Sequence, residues 1–178
     1  MKQRIHQFFW ALFGRIDSSG HLFVRAYLHS AERKLFYAMH AADQYHAFRV
    51  AVTAHEIYTR QGRSDSDEYI LLMRCALLHD IGRVKGSADI WGKVLAVLVD
   101  HFFPFVIPYF LRRKNTNDVY GRIKTALYIH IAHPYIGAEK LRRLGDIREA
   151  EIVQQHQKKA APEDSSVLSI LKQADAQN

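Results

Sequence analysis

Cysteine is nearly missing from this chain: Cys75 is the only one among 178 residues, and it sits inside an apolar run. A disulfide framework is therefore excluded, and so is a thiolate metal cluster. A reducing, cytoplasmic setting is the natural expectation. Proline is also scarce, with four residues. Strand-like alternation is rare, and neither an internal repeat nor a long low-complexity segment is present. These shortages leave long stretches free to follow the three- and four-residue apolar spacing of amphipathic helices, so the chain reads as all-α. Its length suits one domain that can bury a core without staples.

Negative charge is in deficit. Lys and Arg number 25 against 18 Asp and Glu, a formal net charge of +7, which favours an anionic partner such as a phosphorylated small molecule, nucleic acid or an anionic membrane surface. The basic clusters "LRRK" at 111–114, "GRIK" at 121–124 and "KLRR" at 140–143 could line a nucleotide entrance or form an ordinary solvated face. They lack the interleaved aromatics of a single-strand binding groove, which disfavours nucleic acid. The opening "MKQRIHQFFWALFGRID" begins like a signal peptide, but Arg15 and Asp17 interrupt it and no small-residue cleavage site follows. It reads as an amphipathic helix.

Helices are expected over 2–14, 19–29, 31–39, 41–60, 66–81, 88–102, 117–131, 134–144, 148–157 and 164–176, with Gly62, Gly82, Gly86 and Gly145 as stops. The run "WGKVLAVLVDHFFPFVIPYFLRRK", 91–114, is intensely apolar yet carries Asp100, His101, Pro104 and Pro108. A spanning helix needs about 20 uninterrupted apolar residues. A bent pair of helices packed in the core or in a homodimer interface fits better, and a membrane-surface segment with basic flanks stays open.

Polar residues that interrupt apolar faces carry the chemistry. In "LLMRCALLHDIGRVKG", Leu72, Cys75, Ala76 and His79 share one helix face, with Asp80 at its edge. Burying an imidazole beside a carboxylate costs free energy unless both find strong partners, and a divalent cation satisfies both. A hydrogen-bonded core histidine followed by a helix-end aspartate is the plain alternative for this pair alone. His46 shares a face with Val50, Thr53 and Ile57 and should point inward, whereas His55 should face elsewhere. His133 precedes a proline that can open a new helix. His156 lies on the apolar side of its helix, one turn beyond Ile152 and Val153, and Asp175 closes the apolar face of Val167, Leu168, Leu171 and Ala174. Several helices thus each bring a nitrogen or oxygen to a core-facing edge, the way helical bundles build metal sites.

His46 within "HAFRVA", His79-Asp80 within "HDIG" and the distant Asp175 within "QAD" together resemble the HD-domain superfamily of metal-dependent phosphohydrolases, across about 43–175. The resemblance implies a helical-bundle HD domain over 41–178 with an apolar insertion at about 88–116, preceded by a helical extension over 1–40. It implies His46, His79, Asp80 and Asp175 as metal ligands, with Asp80 bridging when two ions are present. "HPYIGAEKL" around His133 resembles the "HP…GA" segment of binuclear members, and His156 resembles their next histidine. The complete set would be His46, His79, Asp80, His133, His156 and Asp175. Such imidazole and carboxylate ligation suits one or two divalent transition ions, iron or manganese before others.

Members that hydrolyse cyclic diguanylate carry a second histidine beside the counterpart of His156 and a later GYP motif. Here Gln157 stands there and no GYP occurs, so that substrate is disfavoured, while members cleaving diadenosine tetraphosphate remain fair comparators. The expected reaction is hydrolysis of a phosphate ester or anhydride, with a nucleotide among the small phosphorylated substrates. Asp80 would serve in the catalytic centre, Arg83 and Lys85 would counter substrate charge, and His130 could protonate a leaving group. A metal- or nucleotide-binding signalling module, at a membrane surface or in solution, is the second reading, and a two-metal oxygenase on the same scaffold a more distant one.

Overall fold

The computed structural model describes residues 14–83 and 119–178, with side chains from 124 onward in the second stretch. Lys85, Gly86, the helices expected at 2–14 and 88–102, and the apolar 91–114 segment lie outside the described residues. Those described form seven helices and no strand, an all-α fold. They are α1 (Ser18–Tyr27), α2 (Ser30–Ala38), α3 (Ala41–Arg60), α4 (Ser66–Leu78), α5 (Val119–Leu144), α6 (Ile147–Gln155) and α7 (Ser166–Ala176).

α4 is the hub, packing against α1, α2, α3, α6 and α7. Its start is fixed chemically: Asp65 Oδ1 accepts hydrogen bonds from the backbone N–H groups of Asp67 at 2.9 Å and Glu68 at 3.0 Å, and both residues place negative charge at the helix's positive end. Beyond the exposed Ile70, the residues Leu71, Leu72, Met73, Cys75, Ala76, Leu77 and Leu78 are all buried, and only Arg74 in that stretch is partly exposed. A helix apolar all round belongs at a core's centre, where each large side chain contributes about 1.5–3 kcal/mol through burial. α3 covers one side with Ala47, Val50, Ala51, Ala54 and Ile57, and α7 another with Val167, Ile170, Leu171 and Ala174. Among the described residues no helix is long and apolar enough to cross a membrane.

One polar residue inside the hub has an assigned place. Arg74 reaches Glu32 Oε1 at 2.6 Å, Asp146 Oδ1 at 2.9 Å and Glu149 Oε1 at 2.5 Å, clamping α2 and α6 to α4. Glu32 and Glu149 are buried, and the guanidinium is the opposite charge each of them meets there.

Two stops behave as expected: Gly62 and Gly145 adopt left-handed φ values of 67° and 87°, where a side chain would be strained. Gly82 does not. α4 has already ended at Leu78, and Gly82 is instead pressed against α5, where an added Cβ would lie 2.1 Å from the carbonyl oxygen of His133. Its role is close backbone approach rather than termination. The expected break between 131 and 134 is also absent, because α5 runs continuously through Pro134.

Candidate metal centre

His79 and Asp80 lie just past the end of α4, where the last carbonyls of a helix lack intrahelical partners. His79 uses one of them: its Nδ1 donates to Ala76 O at 2.9 Å. His156 repeats the device at the end of α6, donating from Nδ1 to Val153 O at 2.7 Å. His133 achieves the same in mid-helix. Pro134 has no N–H to offer the carbonyl four residues back, that of His130, and His133 Nδ1 takes that oxygen at 2.7 Å, with Ile129 O at 3.2 Å. This substitution explains why α5 survives its proline. A carbonyl can only accept, so all three rings carry a proton on Nδ1 and turn Nε2 inward.

These inward-facing nitrogens converge on Asp80. The ring centroids step from His46 to His79 at 5.3 Å, to His156 at 5.1 Å and to His133 at 5.3 Å. Asp80 turns Oδ2 toward His79 Nε2 at 3.7 Å and Oδ1 toward His133 Nε2 at 3.1 Å, one oxygen for each side of the cluster. Asp175, delivered by α7, places Oδ1 3.7 Å from His79 Nε2 and 3.0 Å from His46 Nε2. The structure therefore gathers His46, His79, Asp80, His133, His156 and Asp175 from α3, α4, α5, α6 and α7.

The cluster has a closed floor and an open rim. His79 and Asp80 are 1% exposed and His133 is fully buried, whereas the side chains of His46, Asp175 and Arg83 are 25%, 28% and 23% exposed. Among the described residues that rim is the side of the cluster with solvent exposure. Arg83 reaches in from it, with Nε 3.3 Å from Asp80 Oδ1 and Nη2 donating to His133 Nε2 at 3.3 Å.

Charge at the centre is set by burial and neighbours. Burial works against the Asp80 carboxylate, but Arg83, His79 and His133 outweigh it and hold its pKa well below the usual value. Asp175 is likewise lowered, burial being overcome by the His46 hydrogen bond and the nearby imidazoles. Burial and then His79 push His156 down to about 3, so it stays neutral in any ordinary buffer. His46 moves the other way: burial pulls it down, yet the hydrogen bond to Asp175 and the charges of Asp80 and Asp175 raise it overall.

These residues fit a divalent cation. Among the described residues His79 Nε2 and both carboxylate oxygens of Asp80 are buried without a hydrogen-bond partner. An orphaned buried acceptor costs about 1–3 kcal/mol, more when charged, and a cation would satisfy several at once. The atoms of His46, His79 and Asp175, and of His79, Asp80 and His156, lie within 4.8 Å of one another in each group. The grouping of His29, Glu32 and Asp146 differs, because both of its carboxylates are already paired with the Arg74 guanidinium.

Other sequence expectations land elsewhere. His55 faces away and meets the Tyr69 hydroxyl at 2.9 Å. The His130 ring stands 6.4 Å from that of His133, and its backbone oxygen is what the centre uses. In "KLRR", Lys140 is no free surface charge: its Nζ donates to Ile81 O at 2.7 Å, tying the turn behind His79-Asp80 to α5. Arg142 is engaged by Gln154 and Arg143 by Glu139. The positioning parts Gly137 and Lys140 were not anticipated. His133, Gly137 and Lys140 are spaced four and three apart, so one stripe of α5 carried that signal.

The sequence profile described as HD domain matches residues 44–177, three quarters of the chain. No curated protein and no solved structure matches it.

Proposed function

Because the chain belongs to the HD-domain family, we propose that it is a metal-dependent phosphohydrolase acting on a small phosphorylated compound, with nucleotides the first class to examine. The observation that carries this reading is the convergence of buried atoms without a hydrogen bond, His79 Nε2 and both oxygens of Asp80, on the point where His46, His133, His156 and Asp175 also meet. Iron or manganese suits this mixture of imidazole and carboxylate donors. Ions held here would polarise a phosphate and activate water for in-line attack.

The chain's own contribution is orientation and charge. His79, His133 and His156 are locked by their backbone carbonyls, so each presents its Nε2 without rearranging. Asp80 offers one oxygen to each half of the cluster. Arg83 stands on the rim, where a guanidinium can grip phosphate oxygens through paired N–H groups, and Lys85 follows it in sequence. The buried floor keeps bulk water from Asp80, which strengthens every electrostatic contact made there. We assign this centre to a domain over 41–178, with 1–40 as a helical extension, in a cytoplasmic protein.

Elemental analysis of protein purified and reconstituted with iron and manganese tests the reading, alongside phosphate release from a panel of esters and nucleotides. The expectation is one to two ions per chain and metal-dependent turnover. His79→Ala and Asp80→Ala should each lose most of the metal and all measurable turnover while keeping their helical circular dichroism. Wild-type protein that takes up no metal under these conditions would sink the proposal.

A further inference from the structure

Arg83 does more in this structure than wait on a rim. Its guanidinium donates to His133 Nε2 at 3.3 Å and sets Nε 3.3 Å from Asp80 Oδ1, while those two acceptors lie 3.1 Å from each other. His133 Nδ1 is committed to the His130 carbonyl, so Nε2 is the atom that faces Asp80 across that short gap, and the guanidinium lies against both. Among the described residues no guanidinium pairs with the other half of the centre, where His79 Nε2 meets Asp175 Oδ1 and Asp80 Oδ2.

We propose that Arg83 is a built-in counter-cation that occupies the His133–Asp80 half of the centre, so that the resting protein holds one divalent ion, on the His46, His79, Asp80 and Asp175 side. A second ion must displace the guanidinium from both acceptors and then bear its repulsion at close range. The inference rests on the metal-centre reading above and adds a rule of occupancy to it. It also makes the two uses of Arg83 mutually exclusive: a side chain that turns outward to grip a phosphate vacates the second cation position. An anionic ligand and the second ion would therefore favour each other, the linkage expected when both need the same side chain moved.

Manganese(II) is the probe, titrated into full-length metal-free protein without phosphate, with stoichiometry read by calorimetry and by elemental analysis, and with electron paramagnetic resonance to separate isolated from spin-coupled ions. Wild type should bind one ion with an uncoupled spectrum and a second at least tenfold more weakly. Arg83→Gln should bind two with comparable affinity and give a coupled spectrum, and adding His133→Ala to it should return the count to one. Arg83→Met, which keeps the aliphatic stem, repeats the measurement should the glutamine variant lose helicity. Two comparable ions in wild type, or one ion in both Arg83 variants, would overturn this inference and leave the phosphohydrolase reading standing. Failure of every protein to bind manganese, even after reconstitution, would remove both.

Discussion

At His156 the pH dependence of the fold becomes concrete. An unfolded histidine titrates near 6.5, whereas burial and the neighbouring His79 push the folded one down to about 3. Between those values the unfolded chain binds a proton that the folded chain refuses, so stability rises with pH across this window and is lost as pH falls through it. His46, shifted upward, is protonated in both states below 6.5 and adds no slope there; its stabilisation is full below 6.5 and fades as pH climbs through its raised value. The metal-free protein should lose about 2 kcal/mol from this residue between pH 6.5 and 5, and His156→Gln should flatten the trend, as urea titrations at the two pH values would reveal. A histidine variant as steep as wild type would contradict the assignment. At this scale the sequence was informative about His46, His79 and His156, because each interrupts an apolar face whose direction the helical spacing fixes. It was silent on the aim of His133, which depends on an oxygen left over by Pro134, and on Arg83 meeting that imidazole across fifty positions of chain.

Between elements, the crossing of the turn after α4 over α5 decides whether the two halves of the cluster meet. Gly82 has no side chain because the His133 backbone lies where one would begin, and Gly137 faces Ile81 and Gly82 N across the same contact. Lys140 then fastens the turn through Ile81 O. Gly82→Ala must push the backbones apart, with an expected cost of about 1–3 kcal/mol in urea denaturation and a weakened hold on metal from both sides. Gly62→Ala, whose Cβ would meet no neighbour, should cost only the strain of its left-handed φ of 67° and leave metal uptake unchanged. Helix positions were readable from spacing and caps for α1 through α4, α6 and α7. α5 was not, because punctuation by proline marks a missing hydrogen bond, and a histidine side chain restored what the backbone lost. The function of Gly82 was hidden for a related reason: proximity to a helix fifty residues away leaves no trace in local sequence.

Across the whole molecule, α4 joins two different polar centres. The histidine and aspartate cluster lies at its C-terminal end, and Arg74 with Glu32, Asp146 and Glu149 lies in its middle. Removing one member of a buried charge network leaves the others without compensation, typically at about 3–5 kcal/mol. Arg74→Ala should therefore lower the unfolding free energy by about that amount without changing how many ions the folded protein binds, a separation that denaturation and elemental analysis measure independently. No role for Arg74 is legible in the sequence, because its partners on α2 and α6 become neighbours only after the bundle has assembled.

That dependence on assembly also governs the order of events in folding. The His46 and Asp175 contact joins positions 129 residues apart, and the remaining donors come from three further helices. Bringing distant segments together carries a loop-closure cost that local helix formation does not, so this cluster belongs to the final stage of chain condensation. An ion held there acts as a latch on finished protein rather than a template for unfinished protein, and its influence falls on the escape from the native state more than on the route into it.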